Sequence, residues 1–267
     1  MKLIDSGPVL LSLDDDGVGH LRLNRPEALN GMSVEFLRAL YDAIMAAYGQ
    51  STLRVLVISG EGAHFCAGGD VKTFASKGEQ LPDYLRETTT WLQNCVQALL
   101  NMQAPVIASV HGFAAGGGGF GLVCASDIVI AAESAKFMSA AVRVGMAPDA
   151  GSSVTLPQIV GVRKALEIFL TNPTLTAADA LDIGLITRVV PDDQLHEETL
   201  KVARTIAAGA PLAMAATKRL VWSGIGGRVE AQLPEEARTV SELSGTADSR
   251  EGLAAVLERR TPKFTGR

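Results

Sequence analysis

Two hydrophobic rhythms alternate along this chain. Short apolar runs rich in β-branched residues, at Val9 to Leu13, Val18 to Leu23, Arg54 to Gly60, Val106 to Val110 and Asp127 to Ala132, read as strands. Between them lie longer stretches whose apolar residues recur at helical spacing. One starts behind Ser33, a residue type suited to a helix N-cap, with Glu35 well placed against the helix dipole. Its stripe of Leu37, Leu40, Tyr41, Ile44, Met45 and Tyr48 predicts a core-facing side. A second runs from Asp83 to Met102, with Tyr84, Trp91, Leu92, Cys95 and Leu99 among its apolar positions, and Gln103-Ala104-Pro105 ends it. A third reaches Val160, and Gly161 divides it from a fourth over Arg163 to Leu170. The first two strands meet through Asp14-Asp15-Asp16-Gly17, a hairpin turn. Three adjacent aspartates suggest a calcium loop, but the later ligands it needs are missing, which leaves a solvated turn.

Strand–helix alternation of this kind builds βαβ units and a parallel sheet. From Thr176 onward the rhythm changes. Apart from a short strand at Ile186 to Val190, the tail reads as helices: Thr176 to Ile183, Asp192 to Ala208, Pro211 to Gly224, Val229 to Leu243 and Ser249 to Arg260. The pattern predicts an α/β core over residues 1–190 and a helical C-terminal subdomain over 191–267.

Composition narrows the function classes. With 267 residues, 47% hydrophobic and 20% charged, the chain can build a large core and is not disordered. A net charge of −5 argues against nucleic acid as a bulk partner. Three cysteines, an odd number without metal spacing, fit a reduced cytoplasmic interior. No signal-like or membrane-spanning apolar run is found, so no membrane partner is expected.

Two glycine-rich turns stand out. The strand Val106 to Val110 runs into His111-Gly112-Phe113-Ala114-Ala115 and then Gly116 to Gly119, followed by apolar residues, Leu122 to Ala125, that can continue as a helix. The strand Arg54 to Gly60 ends in Glu61-Gly62-Ala63-His64-Phe65-Cys66-Ala67-Gly68-Gly69-Asp70. Glycines let a ligand approach bare N–H groups, and a helix start adds the positive end of its dipole. Phosphate is one candidate, but the Gly-Lys-Ser/Thr of a P-loop is absent. Either turn alone reads as a close packing contact. Together they can grip one oxygen between them, as an oxyanion hole.

The blocks HFCAGGD (64–70) and HGFAAGGGGFG (111–121), with NRPEALNGMS (24–33) upstream and RRTPKFTGR (259–267) at the end, resemble the crotonase (enoyl-CoA hydratase/isomerase) superfamily. The resemblance implies repeated ββα units with a helical C-terminal subdomain that covers the active site and builds a homotrimer or dimer of trimers. It implies an acyl-CoA thioester as partner, with coenzyme A entering as part of the substrate and no prosthetic group. By position, the first oxyanion donor is the N–H of Gly69. The second is Gly118 counted back from Asp127, or Gly117 counted forward from Gly112, because the run holds one glycine more than the family block. Gly118 keeps the following helix in register. The resemblance also gives the Ala67 carbonyl to the adenine amino group, and Arg25 and Lys72 to the phosphates. Lys263 and Phe264, of this or a neighbouring subunit, would close over the nucleotide. Tyr84 and Trp91 would line the acyl pocket, unless they belong to the core stripe of their helix.

Acid/base residues decide the reaction. The two hydratase glutamates of the family fall on Gly121 and Ala141, neither of which can move a proton. The remaining carboxylate is Asp149, in Ala147-Pro148-Asp149-Ala150-Gly151-Ser152-Ser153. Its setting suits a helix N-cap as well as an acid/base; the resemblance favours the second. As a base it would shuttle a proton between two carbons of a β,γ-unsaturated acyl-CoA, a Δ3–Δ2 isomerisation. A dehalogenase-like route would need a histidine base after Lys72, and none occurs through Met102. His64 and His111 read as packing or hydrogen-bonding residues, His20 and His196 as surface ones, and nothing marks Cys66 as a thiolate. No metal-ligating cluster is visible. Alternatives are a hydratase using other groups, a ring-modifying enzyme, and a non-catalytic acyl-CoA binder.

Overall fold

A computed structural model describes residues 1–267. Its strands are β1 (Lys2–Ile4), β2 (Val9–Leu13), β3 (Val18–Leu23), β4 (Val55–Gly60), β5 (Val106–Val110), β6 (Phe113–Ala115), β7 (Ile128–Ala132), β8 (Lys136–Met138), β9 (Leu175–Thr176) and β10 (Arg188–Val190). Its helices are α1 (Val34–Tyr48), α2 (Val71–Ser76), α3 (Leu81–Asn101), α4 (Gly116–Cys124), α5 (Ser152–Val160), α6 (Val162–Thr171), α7 (Ala177–Asp182), α8 (Leu195–Ala207), α9 (Pro211–Gly224), α10 (Val229–Ser244) and α11 (Ala247–Glu258).

The main sheet has the order β1-β2-β3-β4-β5-β7-β10, antiparallel up to β3 and parallel from β3 to β10. The strand chemistry explains the layers. β5 is buried at every residue and β4 at its first four, as parallel strands covered on both faces require. β2, nearer the edge, buries only Val9, Leu11 and Leu13. A second sheet, β6-β8-β9, lies beside it, with β6 parallel to β8 and β9 antiparallel. The sequence pattern did not predict β6, β8 or β9, because two or three residues are too few to show a period. The mixed α/β architecture with helices at the C-terminal end is as the sequence predicts.

Several helix expectations are refined. Ser33 caps α1 by accepting the N–H of Phe36. The buried face of α1 is Phe36, Leu37, Leu40, Ala43, Ile44 and Ala47. Met45 and Tyr48 are 43% and 42% exposed, because the small alanines sit on the packed side instead. α3 starts at Leu81, with Pro82 in its first turn, where the missing N–H costs nothing. α4 starts at Gly116, so the glycine run is itself the first turn of the helix.

The core continues past residue 190. Leu195, Val202 and Ala203 of α8 join it, and the Thr199 hydroxyl meets that of Ser109 at 3.0 Å. α9 is pinned to the sheet by Lys218, whose ammonium lies 2.8 Å from Asp127 and donates to the Leu99 carbonyl (2.8 Å). No helix is long and apolar enough to cross a membrane.

Candidate active site

The two glycine turns are stitched together by main-chain bonds. Phe65 N–H donates to His111 O (3.0 Å), Cys66 N–H to Phe113 O (3.0 Å) and Ala115 N–H to Cys66 O (2.9 Å). Gly68 (φ +105°) and Gly116 (φ +60°) adopt left-handed backbone there, and a Cβ on Gly116 would stand 3.1 Å from Gly68 Cα. Met32 flanks the other side, donating to Gly68 O (2.8 Å) and accepting from Asp70 N–H (3.1 Å).

Beneath them lies Asn30, fully buried and left-handed (φ +55°). Its amide donates to the carbonyls of Glu61 (3.0 Å), His64 (2.8 Å) and Phe65 (3.1 Å), and its oxygen accepts Arg25 N–H (2.8 Å). Asn30 has no place in the periodic pattern of the sequence. The signal was an Asn-Gly pair in a loop, where asparagine tolerates left-handed backbone and bonds nearby main chain.

The result is a small region of unspent donors. No acceptor of the protein takes the N–H of Gly69. Gly117 and Gly118 lie in the first turn of α4, where N–H groups have no helical partner and the dipole is positive. Gly69 N lies 3.7 Å from where a Cβ on Gly116 would stand, so the two turns converge. Both line a cavity of about 520 Å³ together with apolar residues that include Leu37, Phe74, Leu81, Leu85, Leu92 and Met146. A Cβ on Gly118 would lie 2.8 Å from Met32 Sδ, so this turn admits no side chain. Gly117 and Gly118 both remain in position as second donor.

Asp149 is the single ionisable side chain in the cavity wall. Its carboxylate makes no hydrogen bond or ion pair to another residue; burial pushes its pKa up, against a weaker opposite pull from its own main-chain N–H. Instead the main-chain carbonyl of Asp149 accepts from Ser152 N–H (3.0 Å) and Oγ (2.7 Å), and Gly151 is the N-cap of α5. The capping role open to this carboxylate is therefore not used. Ala141 lines the cavity and Gly121 faces Ala150, so no carboxylate stands at either of these two positions.

Other expected residues divide. Ala67 lines the cavity, and its carbonyl accepts nothing within the protein. Lys72 is exposed and unpaired. Arg25 departs from expectation: its guanidinium bonds Asp70 (2.9 Å) and the Gly31 carbonyl (3.0 Å), bracing the glycine turn rather than facing outward to a phosphate. Burial would raise the Asp70 carboxyl, but the Thr73 N–H and hydroxyl and the Arg25 charge together hold it below its usual range. Asp70 also caps α2, a helix the sequence pattern missed.

Tyr84 and Trp91 lie outside the cavity lining. Tyr84 accepts the N–H of Val34 and stacks edge-on with Phe74, while Trp91 packs on Tyr41. Leu81, Leu85, Thr88, Thr89 and Leu92 of α3 face the cavity instead, one face round from the predicted pair. Lys263 and Phe264 are also elsewhere in this protomer. Lys263 N–H bonds Glu251 (2.8 Å), and the Phe264 ring covers Gly252 on α11.

His64 Nδ1 accepts Phe113 N–H (3.2 Å) and His111 Nε2 meets the Gly62 carbonyl (2.9 Å), so both brace the turns. Burial pushes the Cys66 thiol up to about 12, and its sulfur points at the Asn30 carbonyl. No group of three or more His, Cys, Asp or Glu side chains is placed to hold a metal ion.

Comparison with known proteins agrees with this geometry. The sequence profile of the Enoyl-CoA hydratase/isomerase family matches residues 14–267. A probable enoyl-CoA hydratase of Rhodobacter capsulatus is 38% identical over 94% of this chain and 96% of its own length. The 1,2-epoxyphenylacetyl-CoA isomerase of Escherichia coli is 35% identical over 97% of this chain and 98% of its own. The crystal structure of an enoyl-CoA hydratase from Bacillus anthracis superposes with a TM-score of 0.92 at 29% identity, covering 98% of this chain and all of that one. Two converging donor turns, an apolar cavity and a match over nearly the whole length place the chain in the enoyl-CoA hydratase/isomerase family, whose substrates are CoA thioesters.

Proposed function

We propose that this protein isomerises the double bond of an enoyl-CoA, with Asp149 as its only acid/base. The thioester oxygen sits between the N–H of Gly69 and that of Gly118 or Gly117. Negative charge gathering there meets preorganised donors, each worth roughly 3–4 kcal/mol in comparable sites. The Asp149 carboxylate takes a proton from the carbon next to the thioester of a 3-enoyl-CoA. The resulting dienolate is held by the two donors, and the protonated Asp149 returns the proton two carbons further along.

The observation carrying this reading is the isolation of Asp149. Hydration needs a water both activated and positioned, and the two places that would supply carboxylates are Gly121 and Ala141. One unpaired carboxylate with a raised pKa suffices to move one proton between neighbouring carbons. The E. coli relative named an isomerase supports this reading. The Rhodobacter relative named a probable hydratase supports the alternative of water addition.

On this reading the Ala67 carbonyl and Lys72 receive the nucleotide end of coenzyme A. The exposed apolar residues Val240, Leu253, Val256 and Leu257 on α10 and α11 fit a surface covered by further copies, as a trimer or dimer of trimers requires. Sedimentation at three or six times the chain mass would support that assembly, and a monomer would contradict it.

The deciding assay gives the protein 3-hexenoyl-CoA and 2-hexenoyl-CoA separately and follows the absorbance of the conjugated thioester. The first should gain absorbance and the second should keep it. Loss from the second, faster than gain from the first, would assign a hydratase.

A further inference from the structure

The turn that carries Asp149 is seated on α4 in an unusual way. Ala150 is 1% exposed and left-handed (φ +53°), followed by Gly151, also left-handed (φ +72°). A non-glycine residue in that region is held there by its surroundings, and such outliers gather at functional sites. The surroundings are two glycines of α4. Gly117 and Gly121 are four residues apart and so share one face of the helix. An added Cβ on Gly117 would overlap the Asp149 carboxylate, and one on Gly121 would run into the Ala150 methyl. The face therefore has two notches, one under the carboxylate and one filled by the methyl. From behind, Ser152 clamps the Asp149 carbonyl with both its N–H and its hydroxyl.

We propose that Ala150 and Gly121 are positioning residues: the Ala150 methyl, seated on Gly121, fixes the turn so that the Asp149 carboxylate stands over Gly117 at the open amino end of α4. The inference rests on Asp149 being the acid/base. Its substance is geometric. No other residue hydrogen-bonds the carboxylate to orient it, so the packing of the next residue does that work. With the turn on this path no larger side chain fits at position 121, which ties the glycine there to the aspartate at 149.

The test exchanges one methyl across the contact, with Gly121→Ala, Ala150→Gly and the double variant. Isomerisation of 3-hexenoyl-CoA is followed for kcat, KM and the acid limb of the pH–rate profile. A misplacement of about 1 Å costs up to ~100-fold in rate. On that scale Gly121→Ala should lower kcat roughly 30-fold, with KM changed less than about twofold and the acid limb displaced. Ala150→Gly alone leaves a methyl-sized gap and should lower kcat about threefold. The double variant puts the methyl back on the other side and should return kcat to within about threefold of the parent, with the acid limb restored.

Parental kcat in Gly121→Ala, or a loss that Ala150→Gly does not repair, overturns the proposal. If Gly121→Ala does not fold, parental kcat and acid limb in Ala150→Gly overturn it. A parent without isomerase activity defeats the role given to Asp149 instead. The contact is then read by the ¹³C titration of the Asp149 carboxyl, whose midpoint should move in Gly121→Ala and return in the double variant. A midpoint unchanged by Gly121→Ala overturns it.

Discussion

Asp127 and Asp149 are both shielded aspartates, and their surroundings could hardly differ more. Asp127 spends its lone pairs on the Lys218 ammonium (2.8 Å), the Trp222 indole N–H (2.6 Å) and the Val106 N–H (2.7 Å). Lys218, in turn, also bonds the Leu99 and Ala104 carbonyls, although burial pulls its own pKa down. That cluster joins the head of β7, the start of β5 and α9 at one point. Asp149 has no partner on any other residue and faces a cavity. A carboxylate bonded on both oxygens is a fastener. One left empty in an apolar wall is poised to take a proton.

The contrast is sharpest in the Asp149→Asn variant. It should lose isomerisation by on the order of 10³-fold or more, since a positioned acid/base contributes about 10²–10⁴. Binding of a saturated acyl-CoA, followed by calorimetry, should change little. Lys218→Met should act on stability instead. It leaves the half-buried Asp127 without its cation, and such losses cost up to about 3–5 kcal/mol, readable in urea unfolding. Adding Asp127→Asn in that background should recover part of the loss.

Asn30→Ala should fall next. It orphans the carbonyls of Glu61, His64 and Phe65, for roughly 2–3 kcal/mol, and it loosens the turn that presents Gly69, so kcat should fall along with stability.

The smallest effect has the most informative sign. The raised pKa of Asp149 means that folding favours its protonated form. Stability is therefore fully present below the ordinary aspartate range and is lost as pH rises through the folded-state pKa. Asp149→Asn should accordingly melt at a higher temperature than the parent at pH 7, with the difference vanishing in acid. By the same pKa, the parent rate should fall as pH drops into and below that raised range. Equal melting curves at both pH values would mean that the carboxylate is not penalised by its surroundings.

Much of this was legible in the sequence because it is local. The β-branched runs at Val9, Val18 and Val106 set the strands, Ser33 starts α1, and Pro211 starts α9 where its missing N–H is harmless. The absence of acid at Gly121 and Ala141 and its presence at Asp149 are matters of residue identity. What stayed hidden depends on partners distant in the chain. The pairing of Arg25 with Asp70, 45 residues away, leaves no trace in the local pattern, where a loop arginine reads as facing outward. Tyr84 and Trp91 share a helix with the cavity-facing leucines, and only the packing of α3 on α1 shows which side looks inward. The extra glycine at 116–119 was countable, but its consequence, room for the Asp149 carboxylate against Gly117, appears only when α4 and the 149 turn are brought together.

The most direct measurement is a crystal structure of the protein with a saturated acyl-CoA bound. The thioester oxygen should lie about 2.7–3.1 Å from Gly69 N and from Gly117 or Gly118 N. The Asp149 carboxylate should then approach the adjacent carbon to within about 3.5 Å. A thioester oxygen turned away from both turns, or a carboxylate out of reach of that carbon, would contradict it.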